Sequence, residues 1–265
     1  MQPSRFDAGR FADLAARRGL ELGLPLEVLD RTTSTMDAAF AAARAEAPHG
    51  AVVVAEAQTA GRGQHGRAWA STPGRDLTFS LLLFPRLAPA AVPLVALAAG
   101  LAAREAVAAR VAEPAAVKWP NDVLVEGRKI AGVLVERRSV GAAAAVVVGV
   151  GLNVETPRFP PALAATATSL LLAGATDRAR EPWLADFLVA FAPRLAGLER
   201  GAAAEIVREL AAHDALRDRA LAVGAVRGHG AGIAPSGALL VRTSDRAIVA
   251  VSAGTVELLA NDDAP

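Results

Sequence analysis

The chain has 265 residues, of which 28 are basic and 27 acidic, so its net charge is only +1. This balance excludes the extended basic surface typical of nucleic-acid-binding proteins, and recognition of an anion must depend on a local cluster of charges. The absence of cysteine excludes disulfides, thiolate nucleophiles and cysteine-based zinc sites, and the four histidines do not occur at the spacing of metal ligands.

The first 110 residues are predicted to alternate helices with short strands. In chain order, the elements are a polar-faced helix within residues 1–24, a short strand and an Ala-rich helix within LEVLDRTTSTMDAAFAAARAEA, strands at 51–58 and 77–84, and a helix at 93–110. Thr33 or Ser34 is the expected N-cap of the Ala-rich helix, with Asp37 completing a capping box. The uncharged run LAPAAVPLVALAAGLAA is shorter than the ~20 residues of a membrane span and holds two prolines, so we expect a buried helix there.

The rest of the chain is predicted to be richer in strands. The runs AAVKW, DVLVEGRKIAGVLVE and AAAAVVVGVGLNV follow one another closely, and EGRK divides the second run into the two strands of a hairpin. Two helices are expected within 181–218, and the Gly-rich, β-prone segment after 219 indicates a small β-barrel. The pattern predicts an α+β fold with a mainly antiparallel or mixed sheet, divided into a main domain at 1–218 and a small domain at 219–265.

Lysine and the side-chain amides are scarce in this chain. Only Lys118 and Lys129 are lysines, and there are three asparagines, three glutamines and no tyrosine. Because most basic residues of the chain are arginines, a lysine indicates a position where a compact ammonium is needed rather than a planar guanidinium.

A glycine-dense loop, GRGQHGRAW at 61–69, follows the strand at 51–58. Its backbone N–H groups and its two arginines, Arg62 and Arg67, favour an anion site, although a flexible surface turn explains the same composition. Neither a P-loop nor a dinucleotide fingerprint fits, because no Gly-Lys-Ser/Thr follows and no helix begins at the last glycine.

Four further motifs carry weaker signals. In KWPND, the proline forces Trp119 to be extended, so Lys118 and Trp119 point to opposite sides of a strand end, and an exposed lysine at a turn is the alternative. RKIAGVLVE and GVGLNV contain strand glycines that mark either a close approach or a kink in a curved sheet. The hydroxyl cluster TTSTMD caps a helix, and free N–H groups there also suit a carboxylate or phosphate.

Taken in order, STMD, AEAQTAGRGQHGRAW, KWPNDV, K-IAGVLVE and GVGLNV resemble the biotin protein ligases (biotin–acetyl-CoA-carboxylase ligases). The resemblance covers about residues 28–155, and the pairing of GRGxxGR with KWPND is highly specific. It implies the α+β fold of biotin and lipoate ligases, similar to class II synthetases, with helices around a central mixed or antiparallel sheet. The β-rich tail is similar to the C-terminal SH3-like domain of the family.

The resemblance implies a ligase that joins biotin and ATP into biotinoyl-5′-AMP and pyrophosphate, and then passes biotin to one lysine of a biotin carboxyl carrier domain. ATP, Mg²⁺ and biotin are the implied ligands. The chemistry requires cations that offset the repulsion between a carboxylate and a triphosphate. The resemblance gives this role to Arg62, Arg67 and Lys118, with Lys118 bridging the biotin carboxylate and the α-phosphate; Lys118 and Arg62 are the implied catalytic residues.

The resemblance also implies the remaining contacts. The biotin site is expected to comprise Ser34, Thr35, Met36, Gln58, Gly61, Arg62, Gly63, Gln64, Lys118, Gly132, Gly149 and Gly151. The adenylate site is expected to comprise Arg62, His65, Arg67, Trp69, Lys118, Asn121 and Asn153, with Trp69 covering adenine and Asp122 contributing to a magnesium site. We expect the loop at 61–69 to be mobile when empty and to become ordered over the adenylate.

Two positions differ from the family pattern. Gln64 replaces an arginine that helps hold the adenylate in many members, so we expect weaker retention of that intermediate. Met36 replaces a frequent asparagine, so only a backbone contact and a pocket wall are expected there. Only 33 residues precede Ser34, too few for a winged-helix domain, so we expect a ligase without repressor activity and without a DNA partner.

Two alternatives remain open. A lipoate or octanoate transferase has a related fold but a longer apolar pocket and a different glycine-rich motif, and a regulator that binds biotin or a nucleotide without turnover needs the same site. The N-terminus carries acids and lacks an apolar core, which excludes a secretory signal and predicts a soluble cytoplasmic protein without a membrane partner. A monomer or a weak homodimer is expected, although the sequence does not show which strand edges are exposed.

Overall fold

The computed structural model describes residues 5–259, except for the side chain of His65. Helices α1–α6 are Ala8–Arg18, Thr35–Arg44, Val92–Ala108, Pro161–Ala164, Arg180–Glu199 and Ala203–Ala211. Strands β1–β12 are Leu26–Leu29, Val52–Ala55, Leu77–Leu83, Ala115–Lys118, Asp122–Val125, Arg128–Val140, Ala143–Leu152, Ala220–Val223, Val226–Ile233, Leu239–Arg242, Ile248–Val251 and Val256–Leu258. Short 3₁₀ turns lie at Gln64–Gly66 and Pro89–Ala91.

A seven-stranded sheet forms the centre of the protein, in the order β1-β2-β3-β7-β6-β5-β4. Only β1 and β2 are parallel, and every other pair is antiparallel, so the sheet is mixed as predicted. The hairpin between β5 and β6 turns at Glu126 and Gly127, both with positive φ, which confirms the predicted division at EGRK.

The two faces of this sheet serve different purposes. Alternate residues of β7, Val146, Val148 and Val150, belong to the larger core, which α1, α3 and α5 cover. The intervening residues Ala145 and Val147 pack with α2 in a smaller core. Because side chains alternate along a strand, the next residues on the α2 side are Gly149 and Gly151, where the absence of side chains leaves space above the sheet.

Helix α2 begins as the sequence predicts. Ser34 is its N-cap, and the Ser34 hydroxyl accepts a hydrogen bond from the Met36 amide at 3.3 Å. The predicted capping box is wrong, because the Asp37 carboxylate pairs with Arg62 at 2.6 Å instead.

Helix α3 and the turn before it, Pro89–Ala108, are long and apolar enough to cross a membrane by length and composition alone. Of this segment 61% is buried inside the protein, where α3 contacts α5 and the central strands. Burial of this kind is typical of the core helix of a globular domain, as the sequence predicts.

A five-stranded antiparallel sheet in the order β11-β10-β9-β8-β12 forms the C-terminal part, which confirms the predicted β-rich tail. Leu221 and Leu239 of this sheet belong to the same hydrophobic core as the central helices. Trp119, at the end of β4, donates its indole N–H to the Gly237 carbonyl at 2.8 Å. The assignment of separate domains at 1–218 and 219–265 stays a prediction.

Candidate functional site

A cavity of about 850 Å³ lies on the α2 side of the central sheet. Its floor is formed by β6 and β7, and its walls are the first turn of α2, the loop 61–69, the segment 158–167 and the start of β12. This volume falls within the range of about 300–1,000 Å³ found for small-molecule sites. The cavity unites the hydroxyl cluster, the glycine-dense loop, KWPND and both strand glycine motifs, which are far apart in the sequence.

Neutral polar side chains form a chain of hydrogen bonds at one end of the cavity. Ser80 donates to the Thr35 hydroxyl at 2.8 Å, and the Thr35 amide donates to Gln58 Oε1 at 2.8 Å. The Thr35 hydroxyl also donates to Gln58 Oε1, at 3.3 Å. This fixes the orientation of the Gln58 amide and leaves its NH₂ group, which has no protein acceptor within residues 5–259, available to a ligand.

The glycines of β6 and β7 allow two large side chains to lie directly on the sheet. A Cβ on Gly149 would lie 2.9 Å from Met36 Cγ, and a Cβ on Gly151 would lie 2.2 Å from Trp69 Cε2. A Cβ on Gly132 would lie 3.1 Å from Trp69 Cζ3. Close approach, rather than sheet curvature, therefore explains these glycines.

The loop 61–69 folds back on itself as a narrow hairpin. The Trp69 amide donates to the Gly61 carbonyl at 2.8 Å, and the Gly63 amide donates to the Arg67 carbonyl at 2.7 Å. A Cβ on Gly61 would lie 2.7 Å from the Trp69 carbonyl, so this crossing requires glycine. Arg67 reaches the C-terminal sheet, where it donates to the Thr255 hydroxyl at 3.2 Å.

The remaining loop residues, among them Gln64 and Trp69, have different surroundings. Gln64 is half-buried and lines the cavity, as expected from the resemblance. The predicted adenylate contact of His65 involves a side chain outside the described part of the structure. The Trp69 indole N–H is buried and has no acceptor within the described residues, so it is a candidate donor to a bound molecule.

The two lysines of the chain both line the cavity, although only Lys118 was expected there. Lys118 donates to the Val256 carbonyl at 3.1 Å, and burial lowers the pKa of its ammonium. Lys129 lies 5.4 Å from the centre of the Trp69 ring and pairs with Asp122 at 2.5 Å. The scarcity of lysine pointed to Lys118, and the same signal marks Lys129, which was not predicted as part of the site.

Asn121 and Asn153 use their side-chain NH₂ groups to hold the cavity walls together. Asn121 donates to the Val133 carbonyl at 2.6 Å, and Asn153 donates to the Thr168 carbonyl at 2.9 Å. Both residues are buried and line the cavity, so each fixes a wall while its side-chain oxygen stays available as an acceptor.

The segment 158–167 and the buried carboxylate of Asp76 were not predicted as parts of the site. Asp76 accepts hydrogen bonds from the Thr72 amide at 2.7 Å, the Val154 amide at 2.8 Å and the Thr156 hydroxyl at 2.7 Å. It thereby joins the base of the glycine-dense loop to the end of β7. No local pattern in the sequence marks this role, because Val154 and Thr156 lie 78 and 80 residues further along the chain.

The cavity is strongly biased toward anions. Among the described residues that line it, five are permanently or ordinarily cationic and only Asp122 is acidic; the cations are Arg62, Arg67, Lys118, Lys129 and Arg158. Such an excess in a concave site attracts phosphates and carboxylates.

Asp122 does not fit a dedicated magnesium site. Its carboxylate is already paired with the Lys129 ammonium, and the described residues hold no group of three or more His, Asp or Glu side chains able to bind a metal. Magnesium in nucleotide sites is commonly bound through phosphates and water with one or two carboxylates. The geometry therefore favours a metal ion that enters with a polyphosphate.

Comparison with known proteins shows what this chain is similar to. Residues 28–153 match the model of the biotin/lipoate A/B protein ligase family. This range agrees with the one expected from the sequence motifs.

Two individual proteins are similar to this chain over more than half of its length. A biotin–[acetyl-CoA-carboxylase] ligase of Mycobacterium tuberculosis is 44% identical over 162 residues, which are 58% of this chain and 59% of that protein. The bifunctional ligase/repressor BirA of Bacillus spizizenii is 33% identical over 192 residues, 70% of this chain and 59% of the relative. The aligned parts thus span about 59% of the length of these relatives.

Solved structures confirm the fold. The biotin protein ligase of Aquifex aeolicus in complex with biotin and ATP superposes with a TM-score of 0.75 at 26% identity, covering 88% of this chain and 98% of that one. The expected α+β fold of the biotin ligases is therefore correct.

Proposed function

We propose that this protein is an ATP-dependent biotin protein ligase. The observation that carries the proposal is the composition of the cavity: five cations and one carboxylate lie beside a fixed cluster of neutral donors and acceptors. Binding ATP together with an acid that has a neutral polar head group requires both the cations and the neutral donors and acceptors. The name of the Mycobacterium tuberculosis relative and the biotin and ATP bound by the Aquifex aeolicus protein support it.

The proposed reaction has two steps. A carboxylate oxygen of biotin attacks the α-phosphorus of ATP, and the bond to pyrophosphate breaks, which gives biotinoyl-AMP. The amine of an acceptor lysine then attacks the acyl carbon, AMP leaves, and an amide forms. The cations around the cavity stabilise the charge that develops on the phosphoryl oxygens, which is the largest contribution expected from a protein in such chemistry.

The residues divide between the two substrates. We propose that Thr35, to which Ser80 donates, and Gln58 bind the ureido ring, and that Met36 with the strand glycines shapes an apolar floor. We propose that Trp69 and Asn153 contact the adenine end, and that magnesium enters as the complex with ATP.

Lys118 and Lys129 are both candidates for the ammonium at the reacting centre. Lys129 Nζ lies 5.4 Å from the centre of the Trp69 ring and would lie 3.0 Å from a Cβ on Gly132, whereas Lys118 donates to the Val256 carbonyl of the C-terminal sheet. We therefore propose Lys129 as the ammonium between the carboxylate and the α-phosphate. Lys118, expected in that role from the resemblance, then adds charge from the side of the C-terminal sheet.

Substitution by methionine separates the two lysines, because it removes the charge and keeps most of the stem. Formation of biotinoyl-AMP, measured by mass spectrometry, is expected to fall by about 100-fold or more in Lys129→Met and less in Lys118→Met. Arg137→Met is the control, since Arg137 is an exposed cation on the same strand and lies outside the cavity. A larger loss in Lys118→Met would return the central role to Lys118.

Lipoate or octanoate is the alternative acyl group, because the matched family includes both kinds of ligase. Incubation with ATP and either biotin or lipoate distinguishes them by the mass of the acyl-adenylate. Formation of lipoyl-AMP alone would overturn the biotin assignment. Binding of biotin and ATP without any adenylate would indicate a regulator rather than an enzyme.

The partner and the setting of the reaction are also proposals. We propose a biotin carboxyl carrier domain as acceptor, in keeping with the name of the Mycobacterium tuberculosis relative. We further propose action in the cytoplasm, where ATP and newly made carboxylase are present. Transfer of label from biotin to a purified carrier domain, lost when its acceptor lysine is replaced by arginine, tests the second half-reaction.

A further inference from the structure

Arg62 lines the cavity, but Asp37 holds its guanidinium. Arg62 Nη1 lies 2.6 Å from Asp37 Oδ2, and Arg62 Nη2 lies 2.9 Å from Asp37 Oδ1. This is the bidentate geometry in which a planar guanidinium meets a carboxylate best. The interaction lowers the pKa of Asp37 and raises that of Arg62, so both groups stay charged at neutral pH.

Two more charged residues surround the pair. Glu136 lies 3.6 Å from Arg62, and Arg138 lies 3.8 Å from Asp37 and 2.5 Å from Glu136. The Arg138 guanidinium also stacks 4.2 Å from the centre of the Phe40 ring, one turn along α2. The cluster holds two positive and two negative charges, so the charge of Arg62 is already balanced by protein.

The pair joins the two halves of the cavity. Asp37 lies in the first turn of α2, two residues after Thr35, which contacts Gln58. Arg62 lies in the first arm of the glycine-dense loop, where it pairs with Ala68 of the second arm. A displacement of Asp37 would therefore release the loop from the helix that holds the neutral polar cluster.

We propose that Asp37 is a positioning residue, which fixes the loop 61–69 against α2 through Arg62. On this basis Arg62 promotes nucleotide binding by holding the loop in place and not by direct contact with a phosphate. The kinetic part of this inference rests on the proposed ligase function, whereas the structural part does not.

Limited proteolysis with trypsin tests the structural part without any ligand. Asp37→Asn is expected to speed cleavage of the Arg67–Ala68 bond about fivefold, the effect of losing about 1 kcal/mol from a partly exposed ion pair. Asp37→Glu should restore protection, and Asp30→Asn, which removes an exposed carboxylate paired with Arg5, should leave the rate unchanged. Equal cleavage of the wild type and Asp37→Asn would overturn the proposal.

Kinetics of adenylate formation test the functional part. Asp37→Asn, Arg62→Gln and the double variant are expected to raise the KM for ATP by the same factor, about fivefold, with little change in kcat. A much larger defect in Arg62→Gln than in Asp37→Asn would show direct contact with phosphate and refute the indirect role. If the wild type forms no adenylate, the ligase proposal fails, and the proteolysis alone still decides whether Asp37 holds the loop.

Discussion

Replacement of Gly151 by alanine is expected to displace the Trp69 ring from the floor of the cavity. The new Cβ would lie 2.2 Å from Trp69 Cε2 and 2.5 Å from both Cζ2 and Nε1. Ordinary carbon contacts are about 3.5–4.0 Å, so the ring must move by roughly 1.3–1.8 Å. Overpacking of this kind costs about 1–3 kcal/mol, and a half-buried ring relieves it by tilting toward solvent.

Because the ring moves rather than the sheet, we expect a change in ligand binding with little change in thermal stability. If Trp69 covers adenine, the KM for ATP in adenylate formation should rise about 5- to 150-fold, which corresponds to the same 1–3 kcal/mol. Trp119 and Trp183, the other tryptophans, are buried. A shift of tryptophan emission to longer wavelength in Gly151→Ala therefore reports Trp69.

Two other glycines provide a graded comparison. At Gly132, a Cβ would lie 3.0 Å from the flexible end of Lys129 and 3.1 Å from Trp69 Cζ3, so Gly132→Ala should displace the Trp69 ring less than Gly151→Ala does. At Gly100, inside α3, the nearest contact is an ordinary 3.5 Å to Val117, so Gly100→Ala should leave binding unchanged. Normal emission and a normal KM for ATP in Gly151→Ala would refute the placement of Trp69 over the nucleotide.

Three further substitutions have defined outcomes. Gln64→Arg is expected to slow the release of biotinoyl-AMP, measured by trapping free adenylate, and equal rates would refute the role given to Gln64. Asp214→Asn is expected to raise the free energy of unfolding at neutral pH, because burial raises the pKa of the Asp214 carboxyl and makes its ionised form costly. Asparagine keeps the acceptor for the Leu216 amide. The gain in the free energy of unfolding should shrink as the pH falls through the raised pKa, and urea denaturation at two pH values tests this sign. Glu56→Ala should lower the free energy of unfolding by about 3–5 kcal/mol in the same assay, since it leaves the buried Arg180 without the carboxylate that lies 2.8 Å away.

The sequence predicts the elements of the central sheet well because its strands are short apolar runs bounded by strong turn signals. The turn signal EGRK determines the hairpin. Along β7, Val146, Val148 and Val150 face the core while Gly149 and Gly151 face the other side, and this alternation determines the face on which the cavity lies. The motifs also predict which segments meet, since all but the hydroxyl cluster contain a scarce lysine, asparagine or glutamine.

The sequence does not predict how charges are shared once those segments meet. Arg62 was expected to face a phosphate, but Asp37 binds it, because the N-terminal turn of α2 and the loop are adjacent in space. Lys129 and Asp122 form a pair across β5 and β6 that no local pattern shows. Partners of this kind depend on register between strands, which periodicity alone does not determine.

Lys118 and Trp119 are adjacent, and each donates a hydrogen bond to the C-terminal part of the chain. The Lys118 ammonium does so beside the cavity, and the Trp119 indole does so within the core. Their acceptors are Val256, in β12, and Gly237, in the turn between β9 and β10, so the sheet is attached at two separate points to a single dipeptide. A small sheet attached in this way has little freedom to rotate as an independent body. The C-terminal sheet and the central cavity should therefore unfold as one cooperative unit, and amide exchange in β8–β12 should slow when a ligand occupies the cavity.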